Sequence, residues 1–93
     1  EAKSLLLRIY YEINETDPLL ALCDAFKIYL RRNKLIADNK RELYLNYIKF
    51  IARLSKIPKG KKEALQELLQ QLNNTKHIVN LKWLQQKIQE KLT

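Results

Sequence analysis

Cys23 and His77 are the only side chains of their types in this 93-residue chain, so any nucleophile–base chemistry would have to run between them. A thiol needs a base within hydrogen-bond reach to become a nucleophile. Cys23 falls on an apolar stripe, which suits a small buried residue better than a reactive one. His77 falls in or beside a turn and reads as a surface residue. One Cys and one His cannot supply the ligand set of a zinc site, and one Cys cannot form an internal disulfide. The carboxylates that could pair for acid/base work are Glu12, Glu15, Asp17 and Asp24. Asp17 has a simpler account as a helix cap, and the others as turn or helix-surface residues. A single glycine, Gly60, leaves no material for a phosphate-cradling loop. The expectation is a non-enzymatic chain with no cofactor and no metal.

Charge is the stronger signal. The net charge is +8, from 18 Lys and Arg against 10 Asp and Glu. Residues 1–26 are net acidic, whereas residues 27–62 hold 12 cations and two acids, so the excess sits in the middle third. Lys49, Arg53 and Lys56 fall at i, i+4 and i+7, one helical face, continued by Lys59, Lys61 and Lys62. Arg31 and Arg32 come from a different helix. If these eight residues converge they would attract phosphate or an acidic protein surface; if they do not, they form ordinary solvated faces. Tyr44 and Tyr47 flank the region and could stack on bases, but at i and i+3 they suit rings in the core with hydroxyls at its rim. Trp83 reads as a core or hairpin anchor. The sequons Asn14-Glu15-Thr16 and Asn73-Asn74-Thr75 fall in tight turns and are attributed to chance.

The elements that must position these residues are helical throughout, with apolar spacing near 3.6 and no alternating stretch. A first helix over 2–13 carries Leu6, Ile9, Tyr10 and Ile13 as one stripe, with Leu7 and Tyr11 beside it. After the turn at 14–16, Asp17 as cap and Pro18 at the first helical position open a second helix to about Arg32, presenting Leu19, Leu22, Cys23, Phe26 and Leu30. Asp38 or Asn39, the latter with Glu42 as an approximate capping box, starts a third helix to residue 57. That helix has two apolar stripes, Leu43/Tyr47/Phe50/Leu54/Ile57 and Tyr44/Ile48/Ile51, as a central helix needs. Pro58 and Gly60 end it. A helix over 61–73 follows, then a break at 73–75, then a last helix capped by Asn80 with Leu81, Trp83, Leu84, Ile88 and Leu92. One continuous helix over 61–92 is the alternative.

The fold class is therefore all-α: about five helices in antiparallel hairpins, forming either the end of an α-solenoid or a small bundle. No apolar run reaches the roughly 18–20 residues a membrane helix needs. The chain opens on Glu1 and contains no Met, which points to a segment of a longer protein.

Leu7 and Tyr11, followed by Ala21, Ala25 and Phe26, resemble the pattern of a tetratricopeptide-like hairpin. Arg8 stands where that repeat has Gly or Ala, the turn is one residue longer, and no Pro closes the repeat near Asn33. Over residues 2–92 the chain also resembles the C-terminal helical region of uncharacterised Bacteroidetes proteins, in the stretches 22–34 (LCDAFKIYLRRNK), 44–50 (YLNYIKF) and Trp83-Leu84. The resemblance implies tetratricopeptide-like helices over 1–57, a C-terminal helical pair over 61–92, and a place at the end of a larger cytoplasmic bacterial protein. It brings no activity and no site residues. The expected role is protein–protein interaction or scaffolding, with another protein or the rest of a longer chain as partner. Nucleic-acid binding through 27–62 is the alternative.

Overall fold

The computed structural model describes residues 2–93 and contains five helices: α1 (Ala2–Glu12), α2 (Thr16–Arg32), α3 (Asp38–Lys56), α4 (Lys62–Asn73) and α5 (Leu81–Leu92). No strand occurs among the described residues. The break between α4 and α5 is present, so the 61–92 region is two helices.

Cross-links fix the directions. Tyr47 donates its hydroxyl to the Ser4 carbonyl at 3.0 Å, while Lys87 near the end of α5 pairs with Glu12 at 2.6 Å. The Val79 amide bonds the Leu43 carbonyl near the start of α3, and Lys91 Nζ reaches the Leu54 and Ile57 carbonyls at its end. Helices α1, α3 and α5 thus run one way and α2 and α4 return, giving two poles. One pole collects the C-termini of α1, α3 and α5 with the N-termini of α2 and α4; the other collects the opposite ends. The Cα envelope measures 41 × 27 × 16 Å, flat as two helix layers are.

The core is one cluster. Leu19, Cys23, Phe26 and Leu30 of α2 meet Tyr47, Ile48, Phe50, Ile51 and Leu54 of α3, and Leu65, Leu68, Leu72, Leu84 and Ile88 close it from the other side. Both expected stripes of α3 are used, as a central helix requires. On α2, Leu22 is half-buried, and Ala21 and Ala25 are exposed.

Helix α1 departs from its expected orientation. Ser4 and Leu7 are its buried residues, with Tyr10 and Tyr11 packed at the core edge. Leu6, Ile9 and Ile13, expected to face inward, are 37, 46 and 58% exposed. Of the expected stripe Leu6, Ile9, Tyr10 and Ile13, Tyr10 packs at the core, and the neighbouring Leu7 and Tyr11 take the inward place of the rest.

The helix ends also differ from expectation. The N-cap of α2 is Glu15, so Pro18 stands third rather than first in the helix, where its missing N–H is equally without an intrahelical partner. Asp17 makes no cap bond and acts as a first-turn charge on the helix dipole. No capping box forms at α3: Ala37 is the N-cap, Asp38 pairs with Arg41, and Asn39 accepts from the Lys40 amide. Asn80 is the N-cap of α5 by position, in a left-handed conformation and without a side-chain cap bond.

Three other devices terminate the helices. At the end of α1, Asn14 takes φ +59°, its amide bonds the Tyr11 carbonyl and the Glu15 amide bonds the Tyr10 carbonyl, a Schellman motif with Asn in the left-handed position. At the end of α2, Arg41 donates to the Leu30, Asn33 and Ile36 carbonyls at 2.7, 3.0 and 3.0 Å. Lys91 does the same for the end of α3. Gly60, at φ +90°, lets the α3–α4 turn bend so that its amide reaches the Lys91 carbonyl.

Candidate binding surface

The two poles decide where the basic residues lie. Arg31 and Arg32 end α2 at one pole; Lys56, Lys59, Lys61 and Lys62 lie at the other, at the end of α3 and the start of α4. The span of α3 from Asp38 to Lys56 separates the poles by about 27 Å at roughly 1.5 Å per residue. Lys49 and Arg53 lie between, over the Phe50 ring at 5.0 and 6.0 Å, and Arg53 donates to Gln71 of α4 at 2.6 Å. Arg41, another of the twelve cations, is spent on the α2 terminus. The eight predicted residues therefore form a lysine group at one pole, an arginine pair at the other and a short row on α3. Four of the eight come together; all eight do not.

The residues considered for catalysis are apart as well. Cys23 is 2% exposed, and burial pushes its thiol up to about 11 from its ordinary 9.0. The charges that influence it are Lys27, Asp24 and Lys56. His77 is exposed, on a loop held against the middle of α3 by its own carbonyl accepting from Asn46 at 2.7 Å. Tyr44 and Tyr47 belong to the core, as expected: Tyr47 is fully buried and hydrogen-bonded, and Tyr44 packs on Phe26 at 5.9 Å. No group of three or more His, Cys, Asp or Glu able to hold a metal occurs among the described residues. None of the described helices is long and apolar enough to cross a membrane.

What the sequence reading missed is the outward face of α1. Leu5 is 55% exposed, and with Ile9 and Ile13 it forms a stripe at i, i+4 and i+8. This stripe and α5 enclose a groove of about 440 Å³ whose other walls are Arg8, Glu12, Trp83, Gln86 and Lys87. Trp83 is its fixed point. Its ring meets the Tyr11 edge at 5.4 Å and 78°, with the Arg8 guanidinium 5.2 Å and the Lys87 ammonium 5.9 Å from its centre. Lys87 also bridges Glu12 and Glu90, at 2.6 and 3.2 Å, and those hydrogen bonds hold its ammonium above its usual pKa. The groove thus has an aromatic floor and an apolar wall, with Arg8 as the cation on its rim that no carboxylate pairs among the described residues.

The signal was present in the sequence. α1 carries two apolar stripes, as α3 does, and the same pattern means contact on two sides. Among the described residues, the Leu7 side of α1 is covered while Leu5, Ile9 and Ile13 stay exposed.

The chain matches no known family model, no curated protein and no solved structure.

Proposed function

We propose that this chain is a non-enzymatic helical interaction domain whose α1/α5 groove receives an amphipathic helix with acidic flanks. The observation that supports it is the exposed stripe Leu5, Ile9 and Ile13 beside a half-buried Trp83. Three large aliphatic side chains left half in water on one helix cost hydrophobic free energy that a partner would recover. Apolar positions repeating about every turn are what a helix laid in a groove reads. α1 is about 16 Å long at roughly 1.5 Å per residue, matching a partner helix of about three turns.

Charge selects the flank. Arg8 lines the groove, and Lys82 stands one turn before Gln86 on α5, so the rim favours carboxylates. Trp and Arg are also the residue types most often dominant in binding energy. The acidic partner expected from the charge of residues 27–62 is retained, but its seat moves to a face outside that segment. We place the domain in a larger bacterial cytoplasmic protein on the strength of its resemblance to the C-terminal helical region of uncharacterised Bacteroidetes proteins, with the rest of that protein or a separate one as the partner.

Nucleic-acid binding draws less support, because Arg31 and Arg32 lie at the pole opposite Lys56, Lys59, Lys61 and Lys62, so the eight basic residues do not make one patch. The test is selection of helical peptides on the intact domain, followed by binding to variants. Peptides with apolar residues at i, i+3 or i+4 and i+7 and acidic flanks are expected, and Ile9→Asp should weaken them at least tenfold while Arg31→Glu does not. Peptides that bind Ile9→Asp and wild type equally would overturn the reading.

A further inference from the structure

A second cavity, of about 320 Å³, opens at the lysine-rich pole on the far side of the Lys87–Glu12 pair. Its walls include Tyr10 and Tyr11 of α1, Thr16 at the start of α2, Ser55 of α3, Lys59 of the following turn and Lys91 of α5. Glu12 and Glu90 also line it; Lys87 bridges the two, so that group keeps one net negative charge, which the two cations Lys91 and Lys59 outweigh.

Lys91 is the unusual group. Its ammonium touches two backbone carbonyls at 2.7 and 2.6 Å and lies 5.5 Å from the centre of the Tyr11 ring, yet no carboxylate pairs with it among the described residues. The carbonyls are the negative end of α3, equivalent to about half a charge, so a full cation is only partly compensated. Burial accordingly drives its pKa down from the ordinary lysine value. A half-buried cation without a full counter-charge is costly unless an anion joins it. Lys59, exposed at the cavity mouth, adds a second cation. The first-turn amides of α2, whose N-cap Glu15 supplies no side-chain bond, point their positive end to the same pole.

We infer that this cavity binds the phosphate group of a small molecule, with Lys91 and Lys59 as its cationic contacts. A tetrahedral dianion accepts from several directions, which suits donors arriving from α5, the α3–α4 turn and the start of α2. The cavity is about ten times the volume of one water, room for a phosphate and a small organic group against the tyrosine wall. This site is separate from the groove and does not depend on it.

The probes are inorganic phosphate and phenyl phosphate, titrated into the intact domain against sodium chloride at matched ionic strength. Thermal melting and phosphorus NMR line width are the readouts. Either probe should raise the melting temperature and broaden the phosphorus line; tighter binding of phenyl phosphate would identify an organic phosphate as the natural class, and equal binding would identify free phosphate. Lys59→Ala, exposed and without a folding role, should weaken binding at least fivefold while leaving the unliganded melting temperature unchanged. Lys91→Met should abolish binding, and Arg32→Ala should not alter it. Absence of any effect beyond the chloride control, or binding that survives Lys59→Ala and is lost in Arg32→Ala, would overturn the proposal.

Discussion

At the residue scale, the polar side chains that matter most are those that tie distant pieces of backbone together. Arg41 is the clearest case, with one guanidinium holding three carbonyls from the end of α2 and the turn after it. Hydrogen bonds to a charged group are worth about 1.5–3 kcal/mol when a partner is removed. Arg41→Ala is expected to cost about 2 kcal/mol, a fall in melting temperature of about 10 °C at roughly 4–8 °C per kcal/mol. Calorimetry on the two proteins checks it. Cys23 gives a pH prediction. Its folded-state pKa is raised, so its contribution is full below pH 9.0 and declines as pH rises toward about 11. Tyr11, raised to about 12, acts in the same direction at higher pH, and Lys91, lowered, acts in the opposite one. Because those two groups are common to both proteins, Cys23→Ala should show a shallower loss of melting temperature between pH 8.5 and 10.5 than wild type. Parallel curves would contradict the assignment.

At the element scale, five helices, the break before α5 and the double-sided α3 were legible because each rests on local spacing or on Pro and Gly. What was not legible depends on distant partners. The charge that finishes α2 comes from 11 residues ahead, and the one that finishes α3 from 34 residues ahead, so the carbonyls and their donors share no sequence pattern. Orientation of α1 failed for a related reason: Leu7 and Tyr11 lie beside the Leu6, Ile9 and Ile13 stripe, and it is contacts with distant helices, such as Tyr11 on Trp83 and the Tyr47 hydroxyl on the Ser4 carbonyl, that accompany the Leu7 side turning inward. The convergence of basic residues was equally non-local. Two substitutions test the orientation directly. Leu7→Ala should destabilise by about 2–5 kcal/mol, as for a core leucine, whereas Ile9→Ser should stay within about 0.5 kcal/mol of wild type. Denaturant titration of both separates an inward Leu7 from an outward Ile9. At Asn14, with φ +59°, replacement by Ala should cost about 1 kcal/mol and replacement by Gly should not.

At the scale of the whole molecule, one core serves both the hairpin end and the C-terminal pair, since α3 packs with α2 on one side and with α4 and α5 on the other. The groove is built across that junction, with α1 from the first half and Trp83 from the second. If the groove takes the proposed acidic helix rather than a second copy, the domain stays monomeric, and sedimentation at micromolar concentration is expected to give the mass of a single 11.1 kDa chain. A dimer that dissociates on Ile9→Asp would instead make a second copy the occupant. Chemical-shift mapping of a selected acidic amphipathic peptide on the nitrogen-15-labelled domain locates the binding face. A helix seated in the α1/α5 groove gives shifts confined to Leu5, Arg8, Ile9, Ile13 and the α5 residues around Trp83; shifts centred on Arg31 and Arg32 or along Lys49 and Arg53 would overturn the groove as its seat.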